Sequence, residues 1–392
     1  MRSFRSLLLA CAIIIATLPS SALAQADPAP SAPDASADQS STPWWEQLEF
    51  FGDFRVRFEG FYRPGDPTRQ RGRFRLRAGL EAPVLADLRF RLRVASGDAA
   101  DVTSTNQTLE GFWNRKPINI DQAALVYTPS GARALTLGAG KFGYPVARTQ
   151  MVWDDDVNWE GAYEQLAWRP AGVSIRLVAV QSPLSEVRAG SDAFMFGEYA
   201  EAAFALGEHD LQLSIASYAF REIDQLALAL DEGEAIHTQL TNAVRRDAAG
   251  NVVGYVSRYG LIDAIARVTA DTGREGYPLA VTANYVVNTR AANGEDSGIW
   301  IEGAYGDAEA PGRYSVSYTV ARIERDAVLS AFNFSDMGPA TNVMMHMAGV
   351  SFMPRQRVNL DATAIWTKRL HVPAGAANRV LTRVQIDARV SF

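Results

Sequence analysis

Cysteine is almost missing. The one thiol, Cys11, lies in the apolar stretch LLLACAIIIATL (7–18), between a short basic start at Arg2 and Arg5 and the small-residue site Ala22-Leu23-Ala24. That layout reads as a secretory signal peptide over 1–24, because the apolar run is too short for a membrane-spanning helix. Leu9 stands where a lipobox needs a small residue, which argues against lipidation of Cys11. An exported chain without cysteine must be held by burial and backbone pairing instead of disulfides. Lysine is scarce too, found only at Lys116, Lys141 and Lys368, whereas arginine is abundant. The formal net charge of -6 excludes wholesale nucleic-acid binding.

Other absences narrow the chemistry. After the signal peptide no stretch carries a convincing helical stripe. The histidines His209, His237, His346 and His371 lack metal-ligand spacing and have no cysteine beside them, so no metal and no cofactor is expected. No G-x-S-x-G is present, and GAGKFG (138–143) is no phosphate loop, since Leu135 and Phe142 stand at the motif's Gly and Ser/Thr positions. The expectation is a protein that is not an enzyme.

What the chain does have is alternation. FRVRFEGFYR (54–63), RGRFRLRAGL (71–80) and LRFRLRVASG (88–97) each hold a run of arginines at alternate positions, as at 55 and 57, 71 to 77, and 89 to 93. A helix would scatter such arginines around its axis, whereas a strand puts Arg73, Arg75 and Arg77 on one face and Phe74, Leu76 and Leu80 on the other. Similar runs recur to the end, as in PLAVTANYVV (278–287) and RVQIDARVSF (383–392), giving sixteen expected strands from 47–62 to 379–392. Every second connection is a tight turn, such as PVLA (83–86) or GEHD (207–210). The others are mostly long, above all 98–117, 143–158, 222–256 and 326–340. An even strand number with short turns at one end and long loops at the other is the pattern of an outer-membrane barrel. The fold expected is all-β, a transmembrane antiparallel barrel over 47–392. It follows an Ala/Pro/Ser-rich linker (25–46) that reads as disordered.

Energy decides the faces. An arginine toward lipid near the midplane costs roughly 2–4 kcal/mol, so Arg55, Arg57, Arg73, Arg75, Arg77, Arg89, Arg91 and Arg93 must face the lumen. Arg383 and Arg389 on the closing strand join them in one basic arc. Trp159, Trp168, Tyr259, Tyr314, Phe352 and Trp366 fall near strand ends, where interfacial girdles sit. Phe392, after alternating Val384, Ile386, Ala388 and Val390, looks like a C-terminal signal for the barrel-assembly machinery.

FWNRKPINIDQAALVYTP (112–129) and LTLGAGKFGYPVARTQMVWDDDVNWEGA (135–162) resemble the putative-porin family of Gram-negative bacteria. The resemblance implies a 16-stranded outer-membrane barrel, usually a homotrimer, with the 143–158 loop folded into the pore. On that loop Asp154, Asp155 and Asp156 make an acidic tip that would face the arginine wall. Charged rings commonly set pore selectivity, so the function expected is passive diffusion of small hydrophilic solutes and ions across the outer membrane, whose lipid is the other partner. The alternatives are an anion- or phosphate-type channel and a plugged barrel acting as receptor or enzyme. A structural ladder with Glu59, Glu81 and Asp387 is the plainer role for the arginines.

Overall fold

The computed structural model describes residues 44–392 apart from 171, 187–190 and 234–235. The expected signal peptide and residues 25–43 of the expected linker lie outside the described residues. Trp44–Gln47 form a 3-10 turn ahead of the first strand.

The strands are β1 (Glu49–Tyr62), β2 (Arg69–Leu85), β3 (Leu88–Ser96), β4 (Gln107–Thr108), β5 (Ile118–Tyr127), β6 (Leu135–Phe142) and β7 (Trp159–Trp168). They continue with β8 (Val173–Ser185), β9 (Ala193–Leu206), β10 (His209–Arg221), β11 (Val244–Arg246), β12 (Val252–Tyr255) and β13 (Gly260–Ala270). The rest are β14 (Leu279–Asn288), β15 (Ser297–Tyr305), β16 (Tyr314–Ile323), β17 (Val343–Arg355), β18 (Val358–Arg369) and β19 (Leu381–Ser391). β11 and β12 form a separate hairpin, and β4 is a two-residue patch on β2. The remaining sixteen pair antiparallel, each with its neighbour, and β1 closes the ring against β19 from Asp53↔Ser391 to Tyr62↔Thr382. All sixteen staves fall within a few residues of the sequence expectation. Closure matters energetically, because it leaves no open edge of unpaired backbone groups.

Two-residue turns at 86–87, 207–208 and 356–357 lie at one end of the cylinder. The opposite end carries the long connections 97–117, 143–158, 222–259 and 324–342. Among the described residues no helix is long and apolar enough to cross a membrane.

Exposure follows the alternation. Phe54, Val56 and Phe58 are 41%, 46% and 42% exposed, whereas Arg57 and Glu59 between and beside them are 7% and 0%. The Phe54 and Phe74 rings meet on the outer face at 6.2 Å. The same logic holds on β18, where Leu360 is exposed and Asn359 buried.

Two loops, not one, turn inward. The first inner loop is 143–158. The second, 324–342, contains the long connection 326–340 of the sequence pattern, and its Asp326, Ala327, Val328, Ala331, Met337 and Thr341 are fully buried. Its apolar residues, Leu329, Phe332 and Phe334 included, join a core that also takes Trp153, Met151 and Val157 from the first inner loop. Barrel-wall side chains such as Val178, Tyr218, Val286 and Met345 complete that core. The helix α1 (Asp224–Glu232) adds Ala227 and Leu230. The girdle needs the matching correction. Trp168 and Phe352 are exposed on the outer surface, but Trp159 and Tyr259 are buried. An aromatic at a strand end is drawn inward when an apolar loop waits there.

Candidate functional site

The first inner loop leaves the wall at a bend. Gly140 and Gly161 are register partners across β6 and β7, both with positive φ (120° and 132°). A Cβ on either would collide with a neighbouring carbonyl, of Ala123 or Gln181 respectively. Only glycine fits that turn of the backbone.

Trp153 anchors the loop. Its ring packs against Trp159 at 5.1 Å, Tyr218 at 5.4 Å and Phe332 at 5.8 Å, so both inner loops and the wall meet on one indole. The three carboxylates beyond it then diverge. Asp154 is buried and stitches the loops together: its backbone N–H donates to the Phe332 carbonyl (2.7 Å), and its carboxylate accepts from the Ser335 N–H (2.9 Å). Burial, and then the nearby Asp156, push its pKa well above the ordinary carboxylate range. Asp155 is left exposed and pairs with Arg148 at 2.5 Å. Asp156 alone of the three meets the arginine arc, accepting from Arg77 at 2.5 Å and from the Thr105 N–H at 2.8 Å. Burial opposes its charge, but Arg77 and Arg75 overcome that and hold its pKa below the ordinary value.

The second inner loop supplies the acid that sequence reasoning missed. Asp336 accepts from Arg57 (3.2 Å), Arg383 (2.6 Å) and Gln385 (2.9 Å). Burial again works against the charge, yet Arg383 and Arg57 hold the carboxyl well below its usual range. The signal that could have found this loop is its composition. A run such as AVLSAFNF (327–334) is too apolar for a watery surface.

Each expected basic residue has a definite place. Arg57 grips Asp387 with two bonds (2.8 and 2.7 Å), and Arg75 grips Asp53 likewise (2.9 and 2.7 Å). Arg71 and Arg383 converge with Gln385 on Glu59. Arg73 reaches Ser104 (3.3 Å) and the Asn106 carbonyl (3.2 Å), and stands 3.8 Å from Glu59. Arg89 and Arg91 share Glu81 near the short-turn end, with Arg91 over the Phe51 ring. Arg93 meets Asp121 at 2.5 Å. Arg55 donates to the neutral Asn106 (2.6 Å) and lies 3.7 Å from Asp387. Arg389 has no hydrogen bond or ion pair among the described residues, and its buried Nε has no acceptor. Phe392 exchanges backbone bonds with Gly52 (2.9 and 3.0 Å), fastening the seam.

Two cavities, of about 880 and 330 Å³, abut the first inner loop. The larger is lined by Asp98, Asp101, Asp121, Trp159 and Leu226 among others, the smaller by Arg93, Gln122, Arg148 and Asp155. Val157 and Asn158 border both. Asn158 is clamped to the wall by Gln122 (2.7 Å) and Asp121 (2.8 Å). The β3–β5 register shifts at this point, which turns two successive side chains inward, as a bulge does. Burial raises the Asp101 pKa to about 6. On the rim, His237 pairs with Asp98 at 2.7 Å, which raises the imidazole's pKa. Among the described residues no group of three potential metal ligands occurs.

Residues 62–249 match the model of the family described as Putative porin. Over that segment, a little under half of the chain, the sequence is similar to that family. The porin fold extends past the matched segment. The high-pH structure of Pseudomonas putida OprB superposes with a TM-score of 0.58 at 14% identity, covering 89% of this chain and 95% of that one. The low-pH structure of the same protein gives 0.51 at 11% identity, covering 90% and 98%. At such identities the likeness speaks for the porin fold alone. Comparison with curated proteins gives no match.

Proposed function

We propose that this chain is an outer-membrane porin through which small hydrophilic solutes and ions diffuse passively, with both termini on the periplasmic side. The observation that carries the reading is the sorting of side chains on a closed cylinder: aromatic and aliphatic groups outside, guanidinium groups inside. Apolar outer side chains suit lipid, and an inner face of charges suits water. The finer reading is an arginine wall on β19, β1, β2 and β3 opposed by acids of both inner loops, chiefly Asp156 and Asp336. Charges held a few ångströms apart in a narrow passage are screened little by salt, whose screening length is about 8 Å. A transverse field of this kind favours small polar solutes over apolar ones. Assembly as a homotrimer, and recognition of Phe392 by the assembly machinery, belong to the same proposal.

Conductance of the purified protein in a planar lipid bilayer under a salt gradient tests it. Steady ion current is expected, and the triple variant R73S/R75S/R77S is expected to move the reversal potential toward cations. A silent bilayer would favour the second reading, a barrel occluded at rest, for which the deep burial of the 324–342 loop speaks.

A further inference from the structure

The arginine arc is not evenly paired. Cross-strand register sorts its inward side chains into rungs, and most of them hold an acid beside the arginines. One rung places Asp53 beside Arg77, another Asp387 beside Arg57 and Arg73, and a third Glu59 beside Gln385 and Arg71. The rung between the first two breaks the rule. It reads Asn359, Arg389, Arg55, Arg75, three guanidinium groups in a row with no acid.

Like charges directly opposite one another are unfavourable in a sheet, and two of these three find little relief. Arg75 is taken by Asp53 from the rung below. Arg55 has a neutral amide at bonding distance and its nearest acid at 3.7 Å. Arg389 has nothing among the described residues. The Nε donors of Arg55 and Arg389 are buried without an acceptor, as is that of Arg73, whose side chain is 9% exposed one rung above. Buried donors ordinarily have partners, and each exception calls for an explanation.

We propose that the rung Arg389–Arg55–Arg75 binds a small oxyanion, a carboxylate or a phosphate, between Arg55 and Arg389. Guanidinium forks present paired N–H groups that match two oxygens of one anion, a geometry that chloride lacks. Neighbouring strands lie about 5 Å apart, so two forks on adjacent strands span a single carboxylate or phosphate. Asn359 and Asn106 flank the place with neutral amides and bring no repelling charge. The inference rests on the porin reading only for the route by which the anion arrives.

Inorganic phosphate and acetate, added at constant ionic strength against chloride, are the probes, with two readouts on the full-length barrel. Phosphate is expected to raise the melting temperature in detergent and to reduce chloride current in bilayers, with half-effect on the order of millimolar. R55S/R389S is expected to weaken both effects tenfold or more. R389K keeps the charge but loses the fork, and is expected to weaken them several-fold. R246S, at an exposed pair in the separate β11–β12 hairpin, should leave both unchanged. A phosphate response that survives R55S/R389S, or one identical in R389K and the parent, would overturn the site and leave only diffuse positive charge. Conductance without any phosphate response also sinks the site but spares the porin. A phosphate-raised melting temperature on a barrel that carries no current does the reverse.

Discussion

The two halves of this lumen solve the same problem by opposite means. Around β19, β1, β2 and β3 the inner surface is ionic, and order comes from guanidinium groups gripping carboxylates across strands and from the loops. Around β7 to β10 and β13 to β17 it is largely apolar, and order comes chiefly from rings and aliphatic chains packed against two inner loops. Ion pairs as buried as Arg57–Asp387 must offset the loss of water from both groups, and removing one partner strands the other. An apolar core excludes water and fixes its loops rigidly. The contrast teaches that one half is ordered by ion pairs and the other by apolar packing that holds both inner loops against the wall. Asp154 and Asp336 fasten the two halves to each other through the second inner loop.

The hardest blow to that division is Trp153→Ala. Truncating a buried tryptophan on which both inner loops and the wall converge costs about 3–5 kcal/mol, and frees the 143–158 loop. The variant is expected to lower the temperature at which the folded band shifts on a gel, and to raise single-channel conductance. An unchanged conductance would mean that the apolar half does not hold the narrowing loop.

Asp336→Ala acts on the ionic half. Leaving Arg57 and Arg383 short of an acceptor costs about 1–3 kcal/mol, and selectivity should shift toward anions in a salt gradient. Because the carboxyl is held below its ordinary range, its stabilisation is fully present above about pH 4. It is lost only as the pH falls through the depressed value. Parent and variant should therefore differ by a constant amount from pH 7 to 5 and converge only in strong acid, which melting curves across that range check.

Asp101→Asn is the smallest change and sharpens the comparison at the cavity. With its pKa raised to about 6, Asp101 carries its charge at pH 7 against the pull of burial. That penalty fades as the pH falls through 6 toward the ordinary value. Cation current should drop modestly between pH 7 and 5 in the parent, and the Asn variant should lack that step. A step of the same size in both would assign it to another group.

Much of this architecture could be read from spacing alone. Period-2 arginines such as Arg73, Arg75 and Arg77 cannot share a helix face, and their cost against lipid decides which way they point. Turn and loop lengths then fix which end is which. The partners of those arginines were hidden, because Asp336 reaches Arg57 across 279 positions of chain and Arg383 across 47. A run of Asp154, Asp155 and Asp156 says that charge is dense there, but not that one side chain will be buried and another left exposed. Trp159 and Tyr259 illustrate the same limit. Residue type places an aromatic near a strand end, and only the loop folded against it decides the side.

The seam between β1 and β19 has a temporal consequence. Arg57 and Asp387, 330 positions apart, can clasp only when the last stave has been delivered. Until then every intermediate carries two raw margins of unpaired backbone, and loop-closure entropy makes so distant a meeting slow. The cylinder is thus finished in a single late act, and a chain halted before its final strand would be left as an open sheet.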